Sequence, residues 1–154
     1  MTDVMDRQTR SKVMARIRGR DTRPELLVRR SLHAMGFRFR LNQRRLPGSP
    51  DIVLTKWRTA IFVHGCFWHR HHGCRKATTP STNVDFWVAK FEANMARDQR
   101  ALDALAALGW RTAVVWECAV QRSSAPSTLS SLVDFIRDGT ADRIDIGGAG
   151  APVS

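Results

Sequence analysis

Apolar residues recur along this chain with two different periods, and the switches between them mark out its elements. Thr22-Arg23-Pro24-Glu25 has capping-box spacing with proline in the first turn, so a helix is expected to begin at Thr22. Leu26, Leu27, Leu32 and Met35 supply its buried face, and Gly36 supplies the stop. The period then drops to two: Phe37, Phe39 and Leu41 alternate with Arg38 and Arg40, as in a strand half in water. Leu46-Pro47-Gly48-Ser49-Pro50 reads as a turn. Two short strands follow, Asp51–Leu54 and Thr59–His64, joined through Lys56-Trp57-Arg58 as a hairpin. Residues 65–82 are irregular, and Asn83 then suits the cap of a long helix reaching about Leu108, with Gly109 ending it. Its inward positions are read as Phe91, Met95, Leu102, Leu105 and Leu108. Trp110–Trp116 has the composition of a buried strand, and a last helix is expected over roughly Ser127–Arg137, with a frayed Gly/Ala tail behind it. Helix, three strands, helix, strand, helix is the order of an α/β fold with a central mixed sheet and helices on both faces.

Length and composition narrow the picture. A chain of 154 residues, 43% hydrophobic, suits one packed domain and is short for two. The division expected is a basic arm over 1–20, a folded domain over 21–140 and a flexible tail over 141–154. No apolar run approaches the roughly eighteen residues of a membrane span, and the N-terminus alternates acid with base, unlike a signal peptide. A soluble, intracellular protein is expected. Charge changes the picture most. The chain carries +11, and residues 1–45 hold thirteen Lys and Arg against Asp3, Asp6, Asp21 and Glu25. So one-sided a field attracts polyanions. An anionic membrane is the rival partner, but residues 7–20 offer only Val13, Met14 and Ile17 as an apolar face, which favours nucleic acid.

Candidate chemistry is densest in His64-Gly65-Cys66-Phe67-Trp68-His69-Arg70-His71-His72-Gly73-Cys74. Cys66, Cys74 and Cys118 are an odd number, and in an intracellular chain thiols serve more often as metal ligands or core residues than as disulfides. Cys66 and Cys74 with a histidine between them, closed by Cys118 beyond the buried strand, make a Cys₃His set of the kind that holds structural zinc. His71 is the preferred fourth ligand and His72 the alternative. Such an ion would hold together a segment too irregular to hold itself. The bland alternative is a set of reduced core cysteines with surface histidines. A second signal is Pro50-Asp51 ahead of the strand Ile61-Phe62-Val63-His64. In many DNA-cleaving nucleases an Asp on one strand of a hairpin, with acidic and Lys positions on the next, forms a magnesium site. Here Phe62 and His64 stand where the acid and the Lys would be, and turn-capping by Asp51 is the competing reading.

Taken together these residues resemble the very-short-patch-repair mismatch endonucleases. The likeness runs from Thr9-Arg10-Ser11-Lys12 through Glu25, Leu46–Asp51, the His64–Cys74 block, Phe86-Trp87 and Arg97-Asp98 to Val115-Trp116-Glu117-Cys118. It covers about residues 5–120. The resemblance implies a restriction-endonuclease-like fold and a magnesium-dependent enzyme that nicks one strand 5′ of the T in a T:G mismatch, the lesion left by 5-methylcytosine deamination. It implies that Asp51 holds Mg²⁺ by its carboxylate and Val63 by its backbone carbonyl. His69 is then the general base, His64 steadies phosphate and water, and Glu25 and Asp98 hold second-layer water or orient His69. Zn²⁺ would be structural. Met14 matches a family position that reaches into DNA from the minor-groove side, and Lys90 and Asn94 match positions that contact the mismatch edges. A bacterial cytoplasmic monomer is implied, working at the nucleoid on double-stranded DNA alongside mismatch-repair proteins and a repair polymerase.

Elementary chemistry is consistent with these assignments. Phosphodiester hydrolysis needs an activated water and relief of charge at phosphorus, and magnesium accepts one carboxylate, a carbonyl and several waters. With no lysine at the site, a histidine titrating near neutrality is the natural proton acceptor. Glu25 is equally explained by its capping-box position, and Asp98 by a solvated helix face. Phe67, Trp68 and Trp87, bulky aromatics among Arg and His, suit wedges that stack on bases beside a mismatch; core packing is the alternative, strongest for Trp87. Two rival functions remain: a non-catalytic zinc-containing DNA-binding module, which would need neither Asp51 nor His69, and a restriction-type nuclease cutting both strands.

Overall fold

A computed structural model describes residues 22–147; the basic arm, including Met14, lies outside the described residues. Helix α1 (Arg23–Ala34) starts at Thr22, whose Oγ1 accepts from the Glu25 backbone N–H at 3.4 Å, and Pro24 sits in the first turn. Strand β1 is only Arg40–Leu41. Phe37 is buried and Arg38 and Arg40 are exposed, so the expected alternation is present although the ladder takes in just two residues. The turn at 46–50 leads into β2 (Ile52–Leu54), and a 3₁₀ turn at Thr55–Trp57 with left-handed Arg58 returns the chain as β3 (Thr59–His64). Then come α2 (Val84–Ala107), β4 (Arg111–Trp116), a second 3₁₀ turn at Glu117–Val120, and α3 (Ala125–Asp138), which begins two residues earlier than expected.

One element was not anticipated. Residues 143–146, assigned to a flexible tail, form β5, which runs parallel to β4. Ile144 and Ile146 alternate with Arg143 and Asp145, a period-two signal too short to stand out beside the Gly-rich end of the chain.

The five strands form one mixed sheet in the order β1-β2-β3-β4-β5, antiparallel across β1–β2–β3 and parallel across β3–β4–β5. Alternation along β3 and β4 divides the interior in two. Ile61, Ala113 and Val115 face α1 and α3 through Val28, Leu32, Leu132 and Ile136. Ala60, Phe62, Val114 and Trp116 face the other way, toward Leu105 of α2. Because both faces are covered, the parallel strands are apolar almost throughout.

The helices expose some residues expected inside. On α1 the buried positions are Glu25, Val28 and Leu32, while Leu27 and Met35 face solvent. On α2 the buried residues are Phe91, Ala101 and Leu105, with Met95 and Leu108 exposed. Ala101 is buried because α2 approaches the 46–50 turn closely: a Cβ on Gly48 would lie 2.6 Å from that of Ala101. Asn83 precedes α2 in a left-handed conformation and makes no side-chain capping bond. Among the described residues no helix is long and apolar enough to cross a membrane.

Candidate active site and metal centre

Parallel register creates the first cluster. His64 ends β3 directly beside Trp116, which ends β4, so the residues two places further on, Cys66 and Cys118, emerge side by side. The Glu117 carboxylate joins the two exits by accepting the Cys66 backbone N–H at 3.0 Å. Beyond Cys66 the chain coils through successive turns: the N–H of His71 donates to the Cys66 carbonyl, that of Cys74 to His71, and that of Ala77 to Cys74, at 3.0–3.2 Å. The ligand atoms of Cys66, His71, Cys74 and Cys118 consequently lie within 4.8 Å of one another. His71 Nδ1 is 3.7 Å from Cys66 Sγ and 3.3 Å from Cys118 Sγ. A tetrahedral zinc with Zn–S of about 2.3 Å and Zn–N of about 2.0–2.1 Å sets its ligands roughly 3.5–3.8 Å apart, so the donors and their spacing fit that ion. His72 is exposed, leaving His71 as the fourth donor. Burial pushes the Cys66 thiol up and the His71 imidazole down. The neutral imidazole is the ligating form, and a cation among three thiols reverses their reluctance to ionise. The Trp116 ring lies flat against His71, with centroids 4.3 Å apart.

A second group adjoins Trp116 through His64, whose ring meets it edge-on at 5.2 Å. His69 Nδ1 is 2.6 Å from Asp98 Oδ2 of α2, and the His69 ring is stacked on His64 at 3.9 Å and 5°. Both members of the His69–Asp98 pair are partly exposed, so the pair faces the cleft rather than the core. Buried His64 is held well below the usual histidine range, first by burial and then by His69, and its Nδ1 has no hydrogen-bond partner among the described residues. His64, His69 and Asp98 are close enough to suggest a metal trio. Lone pairs of an imidazole lie in the ring plane, however, and two parallel rings 3.9 Å apart cannot aim theirs at one ion. The arrangement suits a base held by a carboxylate.

Asp51 lies under the same cleft. Its Oδ2 accepts the Val63 backbone N–H at 2.7 Å, fixing the carboxylate against the end of β3. Burial raises its pKa from 3.8 to about 7; the Val63 hydrogen bond opposes the rise, Glu25 adds to it and His69 subtracts. Glu25 is 2% exposed and pairs with Arg29 at 3.1 Å. Its backbone N–H donates to the Thr22 cap while the residue lines the cleft, a position compatible with both readings. Half-buried Asp51 and buried Glu25 both line the cleft, and their carboxylate oxygens are hard donors of the kind magnesium prefers.

The cleft has a volume of about 1230 Å³, with the start of α1 and the 42–49 turn on one wall and α2 on the other. Lys90 and Asn94 line the α2 wall, and Asn94 Nδ2 donates to the Trp68 carbonyl at 3.3 Å. Phe67, Trp68 and Trp87 are neither core residues nor isolated on the surface. They form one half-buried cluster with centroid separations of 5.0–6.4 Å, resting on buried Phe91. Four contributors were not foreseen from sequence. Glu117 ties the metal loop to β4, Trp116 contacts a histidine of each group, Arg70 bonds across its own loop, and Phe86, 61% exposed, extends the cluster outward. The motifs contained all four, but only spatial neighbours reveal their parts.

Comparison with known proteins identifies the family. A family model described as DNA mismatch endonuclease Vsr matches residues 2–76. The type II nicking enzyme V.XorIIP of Xanthomonas oryzae is 53% identical over 118 residues, covering 77% of this chain and 86% of its own. The DNA mismatch endonuclease Vsr of Escherichia coli is 46% identical over 121 residues, 79% of this chain and 77% of its own. The type II nicking enzyme V.NmeAIP of Neisseria meningitidis is 42% identical over 139 residues, 90% of this chain and 99% of its own. On these relationships, and with the site they share a chain with now described, the protein belongs to the Vsr family of DNA mismatch endonucleases.

Proposed function

We propose that this protein nicks one strand of duplex DNA immediately 5′ of the thymine in a T:G mismatch, on a restriction-endonuclease-like fold. The observation that carries the reading is the meeting, at one cleft, of half-buried Asp51, the His69–Asp98 pair and the half-buried aromatic cluster.

Asp98 occupies Nδ1 of His69, which leaves Nε2 to take a proton from water. The carboxylate fixes the tautomer and stabilises the imidazolium that forms, while the flat face of neutral His64 restricts rotation of the ring. His64, which lines the cleft, would steady phosphate and water there through the ring edge that faces the cleft, its Nδ1 being buried. Asp51 and the Val63 carbonyl would hold magnesium, with Glu25 in support, and that ion supplies charge relief at the phosphate when bound. The donor set of Cys66, His71, Cys74 and Cys118 suits a structural zinc, since four protein ligands leave no position for water. Phe67, Trp68 and Trp87 would open the step beside the mismatch, with Lys90 and Asn94 at its edges and Met14 reaching in from the basic arm over 1–20. The enzyme would act as a monomer in the bacterial cytoplasm, its nick passing to mismatch-repair proteins and a repair polymerase.

His69→Ala and Asp51→Ala test the assignment. Both should abolish nicking in magnesium while metal content and mismatch binding stay close to wild type. Near-normal cleavage by either variant would remove that residue from the chemistry.

A further inference from the structure

We infer that Arg70 is a positioning residue for mismatch recognition, its guanidinium clasping the metal loop so that the aromatic cluster is assembled before DNA arrives. The inference rests on the reading above that this cluster recognises the mismatch.

Arg70 lies between His69, which faces Asp98 in the cleft, and His71, which faces the sulfurs. Its φ of 56° is left-handed, a conformation that favours glycine or asparagine over a long side chain. What the arginine contributes is therefore its head group. Nη1 donates to the carbonyls of Phe67 and Thr78, at 3.2 and 2.8 Å. Nη2 donates to the Ala77 carbonyl at 3.0 Å and to Thr79 Oγ1 at 3.1 Å. The plane of the same group lies 3.9 Å over the Phe91 ring of α2 and 5.7 Å from Phe67. A lysine could carry the charge but not this geometry, because an ammonium is a point donor and cannot span four acceptors while stacking on a ring.

Apart from Arg70, the Phe67 ring is held by contacts with Trp68, Trp87 and Phe91, and Ala77 by its N–H bond to the Cys74 carbonyl. Among the described residues no other side chain hydrogen-bonds to Phe67, Ala77, Thr78 or Thr79. The metal donors, by contrast, are set by strand register and backbone turns, and His69 is held by Asp98 and His64. Removing the clasp should therefore loosen Phe67 and its neighbours while leaving the metal centre and the base in place. A cluster that must be ordered on binding gives up affinity where its contacts matter, at the mismatch, and leaves phosphate attraction untouched.

The test compares binding to a T:G duplex and to the matched duplex of the same sequence, using the full-length, metal-loaded protein. Arg70→Ala should lower the ratio of the two affinities about tenfold, with metal content unchanged and kcat at saturating T:G duplex within about threefold of wild type. Arg70→Lys should lose the ratio similarly. Undiminished discrimination in Arg70→Ala, or full recovery in Arg70→Lys, would each overturn the clasp. Trp68→Ala, run in parallel, separates this inference from the reading beneath it. If Trp68→Ala keeps full discrimination, recognition by the cluster is itself wrong; if it loses discrimination and Arg70→Ala does not, only the clasp fails.

Discussion

Replacing Asp51 with Asn should make the protein inactive and more stable at the same time. The wild-type carboxyl moves from 3.8 to about 7 on folding, mainly through burial. A group whose charged form is disfavoured by the fold costs nothing while protonated in both states. Its cost grows as pH rises from about 4 to 7 and is complete above 7. A shift of about three units at 1.36 kcal/mol each sets a ceiling of roughly 4 kcal/mol. Water entry and local relaxation relieve part of this, so about 2–3 kcal/mol is expected. Asparagine cannot ionise, and its Oδ1 can still accept the Val63 N–H, so the variant keeps the local bond and loses the penalty. For a chain of this size the gain corresponds to a melting temperature higher by about 5–10 °C at pH 8. The assay is thermal unfolding of both proteins from pH 5 to 8 without added magnesium, leaving the metal centre loaded. The difference should be largest at pH 8 and shrink steadily as pH falls to 5. Equal stability at pH 8, or an advantage independent of pH, would refute the reasoning that a buried carboxylate is maintained there for function.

Asp98→Asn should lower single-turnover nicking about thirtyfold with little change in DNA binding, since a charge-assisted hydrogen bond of about 2 kcal/mol is lost where the imidazolium forms. Cys118→Ser should weaken metal affinity by more than about a hundredfold, the upper end of what loss of an outer partner costs, and lower the melting temperature with it. Metal analysis and calorimetry on the same sample check that the two losses travel together. Glu117→Gln keeps an acceptor for the Cys66 N–H and should retain metal, whereas Glu117→Ala should lose metal faster to a chelator.

Short runs of β-branched and apolar residues made β2, β3 and β4 legible, because strands covered on both faces are apolar almost throughout, whereas period-two alternation marked only residues 37–41. The two 3.6-residue patterns were less informative. On α1 the face toward the sheet contains Glu25, not Leu27 or Met35, so the hydrophobic stripe read from sequence is rotated from the one the fold uses. A buried acid breaks the pattern where the site needs it, which is where sequence rules are expected to fail. On α2 the close approach to Gly48 selects Ala101, a residue too small to weigh in a hydrophobic count. Sequence spacing suggested Cys66, His71, Cys74 and Cys118 as one set because thiols and imidazoles are few and chemically distinctive. The roles of Glu117, Trp116 and Arg70 depend on parallel register and a left-handed residue, neither of which leaves a compositional trace.

The central claim is strand-specific cleavage at a mismatch, and one measurement addresses it directly. Wild-type protein loaded with zinc is incubated in magnesium with an end-labelled duplex containing a single T:G pair, and in parallel with the same duplex carrying T:A. The account predicts one product, cut immediately 5′ of the mispaired thymine, with the opposite strand intact and the T:A duplex uncut. Cleavage of both strands, equal cleavage of the paired duplex, or binding with no cleavage of either would contradict it.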